Sequence, residues 1–268
     1  MRFGCCFGSN PALAQALRDA GFDYGEVHIT HIMQKDDSEF AAYLRALQTI
    51  GLPIESGCVM LPGGVALNRM QRDFTALDAY LRNAALRCKT LGMQTVVFGS
   101  GAARRAPEGL SGAEMFEDLV VFLRDHAAPA FSQQGIRIAI EPLSERPCAV
   151  NTVCEAIALA DAVGRDDVQV LADAFHMYKE NDDISNIRKA GGRLLHAHIC
   201  SPEARRIPVF GDGYDLYPFL KAVADTGCER VSVEGHVDAQ TFPQEVREAI
   251  VRLRETRDKI AAERGEPA

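Results

Sequence analysis

Apolar and polar positions along the chain follow two alternating rhythms. Short runs rich in β-branched and other apolar residues read as strands: RFGCCF from Arg2, YGEVHI from Tyr24, PIESGC from Pro53, TVVFG from Thr95, IRIAIE from Ile136, VQVLAD from Val168, LLHAHI from Leu194 and RVSVEG from Arg230. Between them lie stretches such as PALAQALRDAG, SEFAAYLRALQTIG and DFTALDAYLRNAALRCKTLG, with an apolar residue about every third or fourth position and a glycine at the end. That spacing predicts amphipathic helices closed by a glycine cap. Strand followed by helix, repeated over all eight runs, predicts an α/β fold, a (β/α)8 TIM barrel. The alternative is an open doubly wound sheet, which often shows a glycine fingerprint after its first strand. Here FGSNPA follows the first strand, and GSGAAR after the fourth lacks the third glycine, so a tight loop is the better reading. With no linker or low-complexity tract, residues 1–268 read as a single catalytic domain.

Composition narrows the picture without changing it. The chain has 268 residues, 47% of them hydrophobic, enough to bury a full core. A net charge of -8 argues against a nucleic-acid partner, which calls for a basic face. The eight cysteines form no CxxC pair and several lie in apolar runs (Cys5, Cys58, Cys228), as reduced thiols do in a cytoplasmic protein. No run approaches membrane-spanning length, so no membrane partner is expected.

In such a barrel the chemistry sits at the C-terminal ends of the strands. The fifth predicted strand ends at Glu141 and the sixth at Asp173; the seventh carries His198 and the eighth reaches Glu234. Three buried carboxylates repel one another unless a cation neutralises them. Three oxygens and one imidazole suit one divalent ion such as Mn²⁺, Co²⁺ or Mg²⁺, with positions left for substrate or water. The bland alternative is four unrelated strand-end polar residues, each capping a helix. His196, two residues before His198, shares its face one layer deeper, as a support for a ligand or as a core histidine. His176, three residues after Asp173, is placed over the mouth to bond an oxyanion or carbonyl, or is a solvated residue at a helix start.

The segments EPLSE, ADAFHMYKEND, HAHI with the later RRIP and GDG, and VSVEGH resemble the xylose-isomerase-like barrel superfamily. Within it they are most similar to ketose 3-epimerases and hydroxypyruvate isomerases. The resemblance covers most of the chain and is most specific in its C-terminal half. It implies metal ligands at Glu141, Asp173, His198 and Glu234, with Glu141 and Glu234 also acting as acid and base. It implies substrate contacts from His176 and from Arg205, which keeps the R-x-x-P spacing to Pro208, with Arg206 as the alternative. It further implies a sugar or keto-sugar substrate and a homo-oligomer, a dimer or tetramer.

The chain departs from that pattern in three places. Where ketose 3-epimerases carry a second glutamate after the fifth strand this chain has Pro147, with Glu145 nearby; there is no tryptophan; and Cys200 and Ser201 stand where an acidic residue is usual. The loops after the first three strands, including SGCVMLPGGVALNR, are expected to line the distal end of the substrate. The residue types suit proton abstraction next to a carbonyl, through a metal-stabilised enediolate with two glutamates as acid and base. Epimerisation and aldose–ketose isomerisation both fit. The rivals are a metal-dependent lyase or dehydratase on a keto-sugar, a DNA-repair endonuclease and a non-catalytic binding protein.

Overall fold

The computed structural model describes residues 1–144 and 148–265. Eight parallel strands close into a barrel: β1 (Arg2–Cys6), β2 (Tyr24–His28), β3 (Ile54–Cys58), β4 (Thr95–Phe98), β5 (Arg137–Ile140), β6 (Val168–Asp173), β7 (Leu194–Ile199) and β8 (Arg230–Val233). Each pairs with the next, and β8 returns to β1 through Arg2↔Arg230 and Cys5↔Val233. All eight predicted strands are present. Several are shorter at the C-terminal end, so Glu141 and Glu234 stand one residue past β5 and β8. Each is tethered there through its backbone, Glu141 N–H to Phe98 O at 3.2 Å and Glu234 N–H to Ile199 O at 3.0 Å.

The helices form where the apolar rhythm and the caps agree. Asp37–Ile50 begins with a reciprocal box in which Asp36 accepts from Glu39 N–H while the Glu39 carboxylate accepts from Asp36 N–H. Pro11–Ala20 and Phe74–Leu91 are capped by Asn10 and Asp73, and all three helices stop at a left-handed glycine, Gly21, Gly51 or Gly92. Outward strand residues such as Phe3, Val27, Val96, Ile138 and Val170 are buried beneath this helical layer. Each such side chain contributes about 1.5–3 kcal/mol by leaving water.

Inward positions make a second, smaller cluster of Cys6, Cys58, Val97, Ala139, Leu171 and Leu195. Near the N-terminal end, Glu55 accepts from Arg2 at 2.7 Å and from Arg230 at 2.9 Å. Packing and ion pairs thus occupy the barrel below, and the polar strand-end residues collect at the opposite mouth. Among the described residues no helix is long and apolar enough to cross a membrane.

Candidate metal centre and substrate cavity

Glu141, Asp173, His198 and Glu234 each offer one ligand atom, and the four atoms lie within 4.8 Å of one another. Parallel pairing explains the convergence: Asp173 and His198 are direct partners across β6 and β7, and Glu141 and Glu234 follow the flanking strands. His198 Nδ1 has Glu141 at 3.3 Å, Glu234 at 3.3 Å and Asp173 at 3.5 Å. One N–H satisfies only one of three converging acceptors. A divalent cation among them would bind all three carboxylates and the imidazole, so this buried donor set fits such an ion. Asp173 also caps a helix, its Oδ1 accepting from His176 N–H at 3.0 Å. The other oxygen of the same carboxyl group, Oδ2, is the one that faces His198.

Charge around this centre is unevenly shared. Burial alone would lower the His198 pKa, but Glu26, Glu234, Asp173 and Glu141 outweigh it and hold the imidazole well above its ordinary value. Burial raises Glu141, and the neighbouring charges of Glu234 and Asp173 add to the rise. Glu234 is half-buried, and His198 and Arg205 outweigh the cost of that burial and hold it below the usual carboxylate range. Of the two glutamates it is Glu234 that accepts from the Arg205 guanidinium, at 2.8 Å.

Beneath the four candidate ligands lies a residue the sequence reading missed. Glu26 on β2 is fully buried, and its carboxylate faces His198 Nε2 at 3.0 Å and His196 Nε2 at 2.8 Å, and accepts from Ser56 Oγ at 2.8 Å. The two imidazoles outweigh the cost of burial and keep its pKa well below normal. With Nε2–H donated to Glu26, the Nδ1 of His198 is turned toward the other carboxylates. His196 therefore acts on His198 through the shared Glu26; the two rings meet edge to face at 5.1 Å. A charged residue in the middle of YGEVHI was the available signal.

Two further residues outside the sequence expectation shape the site. A Cβ at Gly99 would fall 2.1 Å from Glu141 Oε2, so the bare glycine leaves room for that carboxylate. Arg104 is fully buried and donates Nη1 to the carbonyls of Phe98, Gly99 and Glu141, the last at 2.7 Å. It fastens the end of β4 to the start of the segment after β5. Of the two glycines of GSGAAR, Gly101 opens a short 3₁₀ turn, Gly101–Arg104, as expected of a tight loop.

The mouth opens on a cavity of about 360 Å³ lined by Cys6, Phe7, His28, Val59, Arg205 and Glu234, among others. Residues at the C-terminal ends of β1, β2 and β3 thus form one wall. Arg205 donates Nη2 to Glu234 at 2.8 Å and lies 4.6 Å from the Phe175 ring centre. Its backbone has a positive φ of 49°, a left-handed conformation uncommon outside glycine. Arg206 is exposed and makes backbone bonds to Ser201, so of the two arginines Arg205 is the one at the mouth. His176 is buried, not solvated; its Nδ1 accepts from Ser144 N–H at 2.9 Å, which leaves the proton on Nε2. At the departure after β7, Ser201 Oγ donates to Asp212, which also pairs with Arg252 at 2.7 Å. Glu145 and Pro147 lie outside the described residues.

Comparison with known proteins agrees with this architecture. A family model described as xylose isomerase-like TIM barrel matches residues 14–256. D-psicose 3-epimerase of Agrobacterium fabrum is 28% identical over 206 residues, covering 70% of this chain and 66% of the relative. Inosose isomerase of Bacillus velezensis is 26% identical over 157 residues, covering 58% of this chain and 55% of the relative. The matched segments thus span between half and two thirds of these relatives. A crystal structure of D-psicose 3-epimerase in the presence of D-fructose superimposes with a TM-score of 0.78 at 20% identity, covering 96% of this chain and 99% of that one.

Proposed function

From a chain that belongs to the xylose isomerase-like TIM barrel family, we propose an enzyme that epimerises or isomerises a small keto-sugar, with one divalent metal ion, Mn²⁺, Co²⁺ or Mg²⁺, held by Glu141, Asp173, His198 and Glu234. The observation that carries this reading is the convergence of those four side chains within 4.8 Å, beside an open cavity that Glu234 lines. The relatives named above, a ketose epimerase and an inosose isomerase, support the substrate class.

A bound divalent ion supplies Lewis-acid stabilisation for negative charge developing next to the carbon that loses its proton. The remaining work falls to the protein. One of Glu141 and Glu234 takes the proton from carbon, and the other returns a proton. Delivery to the opposite face of the same carbon inverts it; delivery to the adjacent carbon exchanges ketose for aldose. Arg205 neutralises Glu234 and has further N–H donors for a substrate oxygen, while Phe175 supports its guanidinium plane. His176 offers Nε2–H to a second oxygen because Ser144 fixes its tautomer. Glu26 keeps His198 in the orientation the centre needs.

Incubation of the metal-loaded protein with a panel of ketoses and keto-acids in D₂O tests this. Deuterium entering one carbon beside the carbonyl of a ketose, together with an epimer or aldose product, is the expected result. Loss of water or chain cleavage without such a product would move the same site to the lyase class.

A further inference from the structure

The barrel interior carries a pair of thiols that the proposed sugar chemistry leaves unused. Cys6 ends β1 and Cys58 ends β3; both are buried and both face inward, in the small cluster with Val97, Ala139 and Leu171. Cys6 Sγ, Cys58 Sγ and a carboxylate oxygen of Glu234 lie within 4.8 Å of one another. Cys6 Sγ also lies within 4.8 Å of a Glu26 oxygen and a His198 nitrogen. Cys6 also lines the 360 Å³ cavity, so the group is reachable from solvent.

We propose that Cys6, Cys58 and Glu234 form a second cation site, selective for thiophilic divalent ions such as Zn²⁺ or Cd²⁺, that shares Glu234 with the first centre. The ligand chemistry separates the two. The oxygen-rich set on Glu141, Asp173 and His198 favours harder ions, and two sulfurs with one oxygen favour softer ones. Zinc–sulfur bonds of about 2.3 Å place two thiolates roughly 3.8 Å apart in a tetrahedral site, within the span the pair already occupies. The cavity side leaves the fourth position open to water or a substrate oxygen.

The carboxylates of Glu26 and Glu234 beside the pair attract a cation, and each thiol releases its proton to solvent as its sulfur–metal bond forms. An ion there draws Glu234 away from proton transfer, so it inhibits; this consequence alone rests on the functional reading above.

The test is a Cd²⁺ titration of the Mg²⁺-loaded protein, followed by sulfur-to-cadmium charge-transfer absorbance. The expected result is a band that saturates at a single equivalent, is lost in Cys6→Ser and in Cys58→Ser, and is kept in Cys154→Ser, which removes a thiol outside the barrel interior. Anomalous diffraction from Cd²⁺-soaked crystals of the unsubstituted protein needs no variant and should place the ion between Cys6 and Cys58. No band, a band that survives both substitutions, or an ion found only at the Glu141, Asp173 and His198 centre overturns the proposal. Deuterium exchange into substrate should fall as the band saturates; a saturated band with unchanged exchange overturns the shared role of Glu234. Protein that exchanges no substrate proton at all contradicts the functional reading and leaves the spectroscopic result to decide the site.

Discussion

Glu26 is the residue on which the geometry of the centre turns. Its carboxylate takes Nε2 of both His196 and His198, which frees the opposite nitrogen of His198 for the mouth. In Glu26→Gln one acceptor oxygen must serve two imidazoles, and the amide nitrogen opposes a ring N–H. Supports of this kind change metal affinity by about 10–100-fold. Glu26→Gln should therefore weaken Mn²⁺ binding by that factor with the fold retained, as read by metal titration and circular dichroism; unchanged affinity would show that His198 needs no such support. The strand-end residues were legible because barrel chemistry gathers at the C-terminal ends. Glu26 was not, because it sits mid-strand, 115 positions before Glu141 and one layer lower. Arg205 was singled out by its spacing to Pro208, and of the two arginines it is the one that lines the cavity. Arg205→Ala should lower turnover by about 10²-fold or more, as loss of a placed donor does, with metal content near that of the parent. Loss of the metal in Arg205→Ala would instead make Arg205 a structural part of the centre.

At the scale of the elements, legibility followed the locality of the signal. Strand runs, helix rhythm and terminal glycines depend on near neighbours, and they were readable. Contacts between consecutive βα loops depend on the register of closure and were not. Arg104 carried no expectation from the sequence, yet it is buried against three carbonyls because β4 and β5 close around it. Gly99 reads as a loop glycine, yet its missing Cβ makes room for Glu141. Gly99→Ala should displace that carboxylate, at a cost of about 1–3 kcal/mol for overpacking. Chemical denaturation and metal titration should both register the change. A variant with parental stability and metal affinity would mean that Glu141 has another place to sit.

Across the whole molecule, the proposed metal binding would be coupled to protonation. In the metal-free protein Glu141 and His198 have raised pKa values, because burial and mutual repulsion favour the neutral carboxyl and surrounding carboxylates favour the imidazolium. Raised values mean these groups hold protons to higher pH than usual. A cation must expel them, so its affinity should rise with pH and fall in acid. Calorimetry in buffers of different ionisation enthalpy should show net proton release on Mn²⁺ binding; no release would contradict the charge distribution described here. Bound metal should also raise the melting temperature with concentration, since it stabilises only the folded state. The central claim is proton transfer at a metal centre by Glu141 and Glu234. Its most direct test follows deuterium entry and product formation together in the parent, a verified metal-free preparation, Glu141→Gln and Glu234→Gln. The account predicts deuterium at one carbon in the parent, no turnover without metal, and net conversion reduced by about 10²–10⁴-fold in each variant, with solvent exchange surviving in at most one of them. Undiminished turnover without metal, or near-normal product formation in either variant, would contradict it.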